Sequence, residues 1–488
     1  MRAVFLAALW LCGCHILIGY EAAPPDAPRF DRDGAGDLRV HDGPGRDLVR
    51  DASAPDGPKA TPLRHVWSKR FGTASSDYGS AVAVDGSGNV LVVGAFQGTV
   101  DFGGGPVTGG GYTDIFVASY TSGGAFRWAQ RFGASGYDEG FGVGVDGSGN
   151  VTATGFFAGT VDFGGGGLTS AGNSDIVVVS YTSSGAFRWA KRFGGTGSDT
   201  GYAVAVDGNG NLVVTGTFQG TVDFGGGPLA CAGTSDIFVA SYTSAGDFRW
   251  AKRFGASSYA EGHGVGVDSS GNATVTGAFS GTADFGGGPL VGAGVYDIFV
   301  ASYTSTGAFR WAKHFGGTSY DGGLGVAVDK DANVTVTGYF AQTVDFGGGP
   351  FTSAGSNDSF VASYTSTGGF RWAKRFGATM TDAGRAIAVD GSGDLVVTGN
   401  FSESVDFGAG LLKSAGIDDI FIASYSSAGD FRSAARFGSA GSDASLGIAV
   451  DSAGRVAATG YFSGTVDFGG GPLTSAGLGD IFLLQLAP

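Results

Sequence analysis

Residues 187–247 read FRWAKRFGGTGSDTGYAVAVDGNGNLVVTGTFQGTVDFGGGPLACAGTSDIFVASYTSAGD, and this text returns along the chain every 61 residues without insertion or deletion. The aspartate of the VDFG or ADFG phrase stands at 101, 162, 223, 284, 345, 406 and 467. The aspartate opening the DIF-like phrase keeps the same step, from 114 to 480. So regular a period marks a repeat architecture and overrides the several-domain prior that 488 residues would carry. Each copy holds four runs with strand character, in this one Val204–Asp207, Leu212–Phe218, Asp236–Tyr242 and Phe248–Phe254. Asp-Gly-Asn-Gly-Asn and Thr-Ser-Ser-Gly phrases punctuate the copies as hairpin turns, since Gly and Asn tolerate positive φ. No helical period interrupts them. Four short antiparallel strands, seven times over, predict an all-β, seven-bladed β-propeller of four-stranded antiparallel blades.

The chain ends support a closed ring. The seventh copy stops after its third strand, and Val66–Phe71 at the other end carries the missing fourth-strand phrase. That N-terminal strand is expected to complete the last blade. The small-residue first strand is placed at the axis and the Arg/Lys-bearing fourth strand outermost, its charges guarding the exposed edge of each blade. Trp128, Trp189, Trp250, Trp311 and Trp372 are expected between neighbouring blades, with a looser outer layer where Ser433 replaces Trp.

Composition agrees and excludes some functions. With 94 glycines the chain has the turn density of an all-β protein, and 42% hydrophobic residues suffice for a core. The net charge of −15 opposes nucleic-acid binding, which needs a basic surface. From residue 65 onward there are 35 acidic and 21 basic residues, and 17 of the basic ones lie in the FRWAKRFG-like phrases.

Residues 1–20, MRAVFLAALWLCGCHILIGY, read as an export signal, too short for a stable membrane span. Leu11-Cys12-Gly13-Cys14 resembles a lipobox, which makes Cys14 the candidate for lipidation. An outer-membrane lipoprotein and a plainly secreted protein both remain open. The membrane is then met only through an N-terminal lipid anchor. Residues 21–64, rich in Pro, Gly, Asp and Arg, read as a disordered linker, and residues 65–488 as the propeller.

The phrases NVTVTGYF (333–340), VDFGGGP (222–228), DIFVASYTS (236–244) and RWAKRFG (249–255) resemble the SBBP family, seven-bladed β-propeller repeat proteins of bacterial cell envelopes. The resemblance covers about residues 65–488 and implies a secreted or surface propeller, often lipid-anchored. It brings no catalytic residues.

Enzymatic motifs are absent. His15, His41, His65, His263 and His314 show no metal-ligand spacing, and Cys231 is a lone thiol beyond the signal. No cofactor is expected. Asp77, Asp138, Asp199, Asp321, Asp382 and Asp443 recur in the loop entering the first strand. Propeller symmetry arranges them as a ring, a weak metal candidate; as turn aspartates they accept backbone N–H bonds instead.

Differences between the copies carry the functional signal. One varied series runs Ser80, Phe141, Tyr202, His263, Leu324, Arg385, Leu446. A second includes Tyr339 and Tyr461, and a third runs Tyr112, Asn173, Thr234, Val295, Ser356, Ile417, Leu478. All three are read at the entry to the first strand or between the second and third, connections that share one face of a propeller. Varied residues on a uniform scaffold are how a binding site is grafted onto a fold, although exposed loops also drift. The expectation is a monomeric, non-catalytic cell-surface propeller recognising a protein or glycan on this face. A passive envelope scaffold is the alternative, and a propeller hydrolase or lyase a more distant one.

Overall fold

The computed structural model describes residues 63–255 and 258–488. The export signal with Cys14, and the linker up to residue 62, lie outside the described residues. Within them the chain forms seven four-stranded antiparallel sheets whose innermost strands neighbour one another in a closed ring. The third blade runs from the axis outward through Thr200–Val206, Leu212–Phe218, Asp236–Tyr242 and Phe248–Phe254. Its first strand begins four residues earlier than the run of small residues suggests. The backbone pairing continues through Thr200 and Gly201, whose side chains give no strand signal.

The last blade is completed by the first strand. Arg64–Phe71 lies antiparallel to Asp480–Ala487, from Arg64 opposite Ala487 to Phe71 opposite Ile481. This clasp removes what would otherwise be a long open edge.

Each repeat also holds a small hairpin that the sequence reading takes as loop. Thr99–Asp101 pairs with Pro106–Thr108, and six equivalents follow. Its turn is built by Asp101, whose carboxylate accepts the amides of Gly103 and Gly105 at 2.7 and 2.9 Å. Three-residue strands fall below the length at which alternation can be read. The hairpin is bolted down by Phe102, which stacks on Phe116 at 4.6 Å, and by the Tyr120 hydroxyl, which donates to Phe102 O at 2.8 Å.

The tryptophans do join neighbouring blades. Trp128 Nε1 donates to Ser183 O of the next blade, and Trp67, Trp189, Trp250, Trp311 and Trp372 repeat the bond 55 residues ahead. At the one junction where Ser433 stands instead, its hydroxyl turns to Ser424, and Phe437 is half-buried where its counterparts are buried.

The outer charges do more than guard an edge. Arg131 reaches back to Asp114, and Arg192 Nε lies 2.9 Å from Asp175 Oδ2. Arg70, Arg253, Arg375 and Arg436 form the same pair. Each aspartate is fully buried and also accepts backbone amides of the connection before it, as Asp114 does from Gly110. A buried carboxylate must be paired to be tolerated, so these arginines are structural.

Candidate functional site

The site begins with a pair of glycines. In the third blade Gly201 of the inner strand faces Gly216 of the second, and the register then skips one residue. The other six blades skip at the same place. A Cβ on Gly216 would lie 2.0 Å from the carbonyl oxygen of Thr200, so only glycine lets the two strands approach there. The extra residue of the resulting β-bulge is Ser80, Phe141, Tyr202, His263, Leu324, Arg385 or Leu446. The first varied series is therefore not in loops, as its sequence position suggests; it lies within the inner strand. A bulge re-aims the side chain it carries. All seven side chains line one cavity of about 170 Å³ on the propeller axis.

One pair beyond the facing glycines, the cross-strand pair varies from blade to blade. Tyr78 faces Ala95, Glu139 faces Phe156, Glu261 faces Ala278, Gly322 faces Tyr339 and Ala444 faces Tyr461. In the first, fourth, fifth and seventh blades a large residue on one strand meets a small one on the other, whereas Glu139 and Phe156 are both large. Tyr339 and Tyr461 thus belong to the second strand and stand above the cavity wall.

The seven walls are chemically unequal. Phe141, Tyr202 and His263 form a contiguous aromatic arc, with ring centroids 5.5 and 5.3 Å apart. Glu261 anchors that arc: its carboxylate accepts the hydroxyls of Tyr259 and Tyr202 and lies 3.4 Å from His263 Nε2. Burial pushes Glu261 up to about 7, against the tyrosine hydrogen bonds. Burial, with the Arg385 charge adding to it, holds His263 down at about 4, so its imidazole is neutral near pH 7. Glu139 is likewise raised to about 7 by burial, with Tyr78 bonded to it. On the other side, Arg385 donates its Nε to Asn400 Oδ1 at 3.1 Å, between the aliphatic walls Leu324 and Leu446.

Glu139 escapes a reading built on repeated aspartates, and Glu261 enters it only with Ala260, in place of a seventh aspartate. The signal was present: residues 65–488 contain three glutamates, and two of them occupy this one position.

The aspartate series sits within the connections. Asp138 accepts Ala134 N and Ala158 N, both at 2.8 Å, stapling the loop before the inner strand to the one after the second strand. Asp77, Asp199, Asp321, Asp382 and Asp443 bridge the same two loops. Their carboxylates are buried, which raises Asp199, Asp321 and Asp382 to about 6 despite the amides. Among the described residues no cluster of three or more His, Cys, Asp or Glu is placed to hold a metal ion.

The third varied series forms the outer rim of the same face. Parallel bridges such as Thr113 to Tyr137 tie the two loop sets together. Tyr112, Ile417 and Leu478 are 64%, 66% and 71% exposed, and Tyr112 stacks on Tyr137 with centroids 5.0 Å apart. Cys231 is half-buried in the same connection of its blade, its Sγ donating to Gly233 O.

Fold and site together define a seven-bladed β-propeller with one varied face around a narrow, asymmetric mouth. The SBBP family description, a β-propeller repeat, matches residues 66–95 and 188–217, and the seven-bladed ring agrees with it. An uncharacterized WD repeat-containing protein of Acanthamoeba polyphaga mimivirus is 23% identical over 436 residues, covering 70% of this chain and 31% of its own length. Regulatory protein FlaEY of Caulobacter vibrioides is 28% identical over 187 residues, covering 37% of this chain and 19% of itself. The chain thus spans about a third or less of these relatives. Among solved structures, a chain of the Mitotic Checkpoint Complex aligns with a TM-score of 0.42 at 10% identity, covering 90% of this chain and 98% of that one.

Proposed function

We propose that this propeller is a non-catalytic interaction module that binds a protein partner on the face carrying the bulged residues. One observation carries the reading: the positions that vary between copies gather at one mouth and its rim, on a scaffold that is otherwise uniform. Exposed Ile417, Leu478 and Tyr112 stand at the same rim position of three successive blades, the sixth, seventh and first, which offers apolar contacts to a protein partner. The WD repeat-containing relative is consistent with an interaction role.

The cavity argues against a small-molecule enzyme. At about 170 Å³ it lies below the roughly 300 Å³ at which drug-sized ligand pockets begin. Tyr202, Glu261 and His263 meet there, but they bond to one another, which fixes rings for contact and leaves no base aimed at a substrate. The aliphatic rim residues favour protein over glycan. With the export signal read at residues 1–20, the partner would be an envelope or surface protein, and lipid labelling of Cys14 would test the anchor.

The test is capture of partners from the native envelope by the wild-type chain and by a variant carrying Tyr112→Ser, Ile417→Ser and Leu478→Ser. A specific partner held at least tenfold less well by the variant supports the reading. Equal capture by both would refute it.

A further inference from the structure

We propose that the axial mouth is a receptor for one carboxylate borne on a short apolar group, with Arg385 as the residue that grips it. This rests on the reading of the face as a binding surface and names the chemistry recognised at its centre.

Arg385 lines the axial cavity, whereas the outer-strand arginines lie at the blade edges, where Arg127 and its equivalents donate to a buried serine hydroxyl and the others pair with aspartate. Arg131, Arg192 and Arg253 each pair with a buried aspartate, and Arg455 pairs with Asp451. Among the described residues Arg385 has no carboxylate at ion-pair distance, although the propeller carries 35 acidic residues. It is aimed at the axis by its bulge, and Asn400 holds its Nε, which leaves the terminal Nη groups for a ligand. A half-buried guanidinium without a counter-ion is costly, and its planar fork suits a carboxylate held by two N–H bonds.

The surroundings narrow the ligand further. Leu324 and Leu446 flank Arg385 on the two adjoining blades, and Phe141 and Tyr202 lie on the wall formed by the second and third. This is an apolar lining with one cation in it. A phosphate dianion is disfavoured, because a single guanidinium faces it while Glu139 and Glu261 stand at the same mouth. The cavity admits roughly one side chain, so a larger ligand must lie over the rim. Two sources supply this chemistry: the C-terminal or acidic residue of a protein partner, and a free short-chain carboxylic acid.

The experiment is a calorimetric titration of the full chain with hexapeptides ending in leucine, as free acids and as C-terminal amides. Hexanoate and hexanamide are titrated alongside. Arg385→Gln and Arg385→Lys are compared with the wild type, with melting curves to establish that each is folded. The expected result is binding of the acids, at least tenfold weaker for the amides and for Arg385→Gln, with Arg385→Lys between. A peptide acid at least tenfold tighter than hexanoate assigns the protein source; equal affinities assign the free acid. Acids and amides binding alike, acids unaffected by Arg385→Gln, or no binding of any acid at millimolar concentration would each overturn the proposal. Partner capture that depends on Tyr112, Ile417 and Leu478 but persists in Arg385→Gln would leave the interaction reading standing without the carboxylate site.

Discussion

Gly201 and Gly216 face each other across the inner two strands of the third blade, and the backbone buckles immediately beyond them. The pair recurs in every blade except the seventh, where Ser445 faces Gly460. Local backbone permissiveness thereby becomes functional display, because the bulged residue is the one that reaches the axis. Replacing Gly216 with Ala should cost about 1–3 kcal/mol through overpacking against Thr200 O. Chemical denaturation checks the cost. The reverse change at the inner-strand position of the seventh blade, Ser445→Gly, should be tolerated.

Closure of the ring depends on one short strand. Phe71 is buried and stacks on Tyr120 of the first blade while its backbone pairs with Ile481 of the seventh. Phe71→Ala should therefore cost about 3–5 kcal/mol, the range for a buried aromatic. Removing residues up to 72 should expose the edge of Asp480–Ala487 and promote self-association, visible by size-exclusion chromatography.

The arginine–aspartate pairs predict changes of opposite sign. Arg131→Ala strands the buried Asp114 carboxylate and should destabilise by about 2–4 kcal/mol, tempered by the 27% exposure of the arginine side chain. In the fourth blade His314 stands where the others have Arg, and Asp297 is the equivalent buried aspartate. His314→Arg should restore the pair and stabilise by about 1–2 kcal/mol. Melting temperatures of the two variants should move in opposite directions.

Glu261 predicts a pH dependence. Its folded value of about 7 lies above the ordinary 4.5, so between those values the folded chain holds a proton that the unfolded chain has lost. Stability from this group therefore falls as pH rises from 4.5 through 7, by up to about 3 kcal/mol. His263, lowered from 6.5 to about 4, works the other way and costs stability as pH falls through that window. Glu261→Gln should remove the first slope and keep the second. Urea denaturation at pH 5 and pH 7.5 would then show the variant gaining on the wild type at the higher pH.

The architecture was legible because it is written seven times. The 61-residue period, the turn phrases and the displaced Val66–Phe71 strand suffice for blades, ring and clasp. What escaped is what depends on pairing between strands. The Thr99–Asp101 hairpin is too short to show alternation, and the partners of Arg131 and Trp128 lie across the sheet or on the next blade. At the site, variation singled out Phe141, Tyr202, His263 and Arg385. Their convergence on one cavity follows from a bulge, whose trace in the sequence is no more than two glycines a strand apart. Glu261 was visible only as part of the Ala260-Glu261 pair in place of a seventh aspartate; its anchoring role depends on Tyr202 and His263, contacts made only after folding.

If the varied face is the binding face, a partner must touch it and leave the opposite face bare. The most direct measurement places a photo-crosslinking amino acid at Leu478 or Ile417 on the varied face, and at Ser148 or Ser184 on the opposite one, in the full chain at its native location. One discrete crosslinked partner is expected from Leu478 and Ile417 and none from Ser148 or Ser184. Crosslinks that form equally from both faces, or from Ser148 and Ser184 alone, would contradict it.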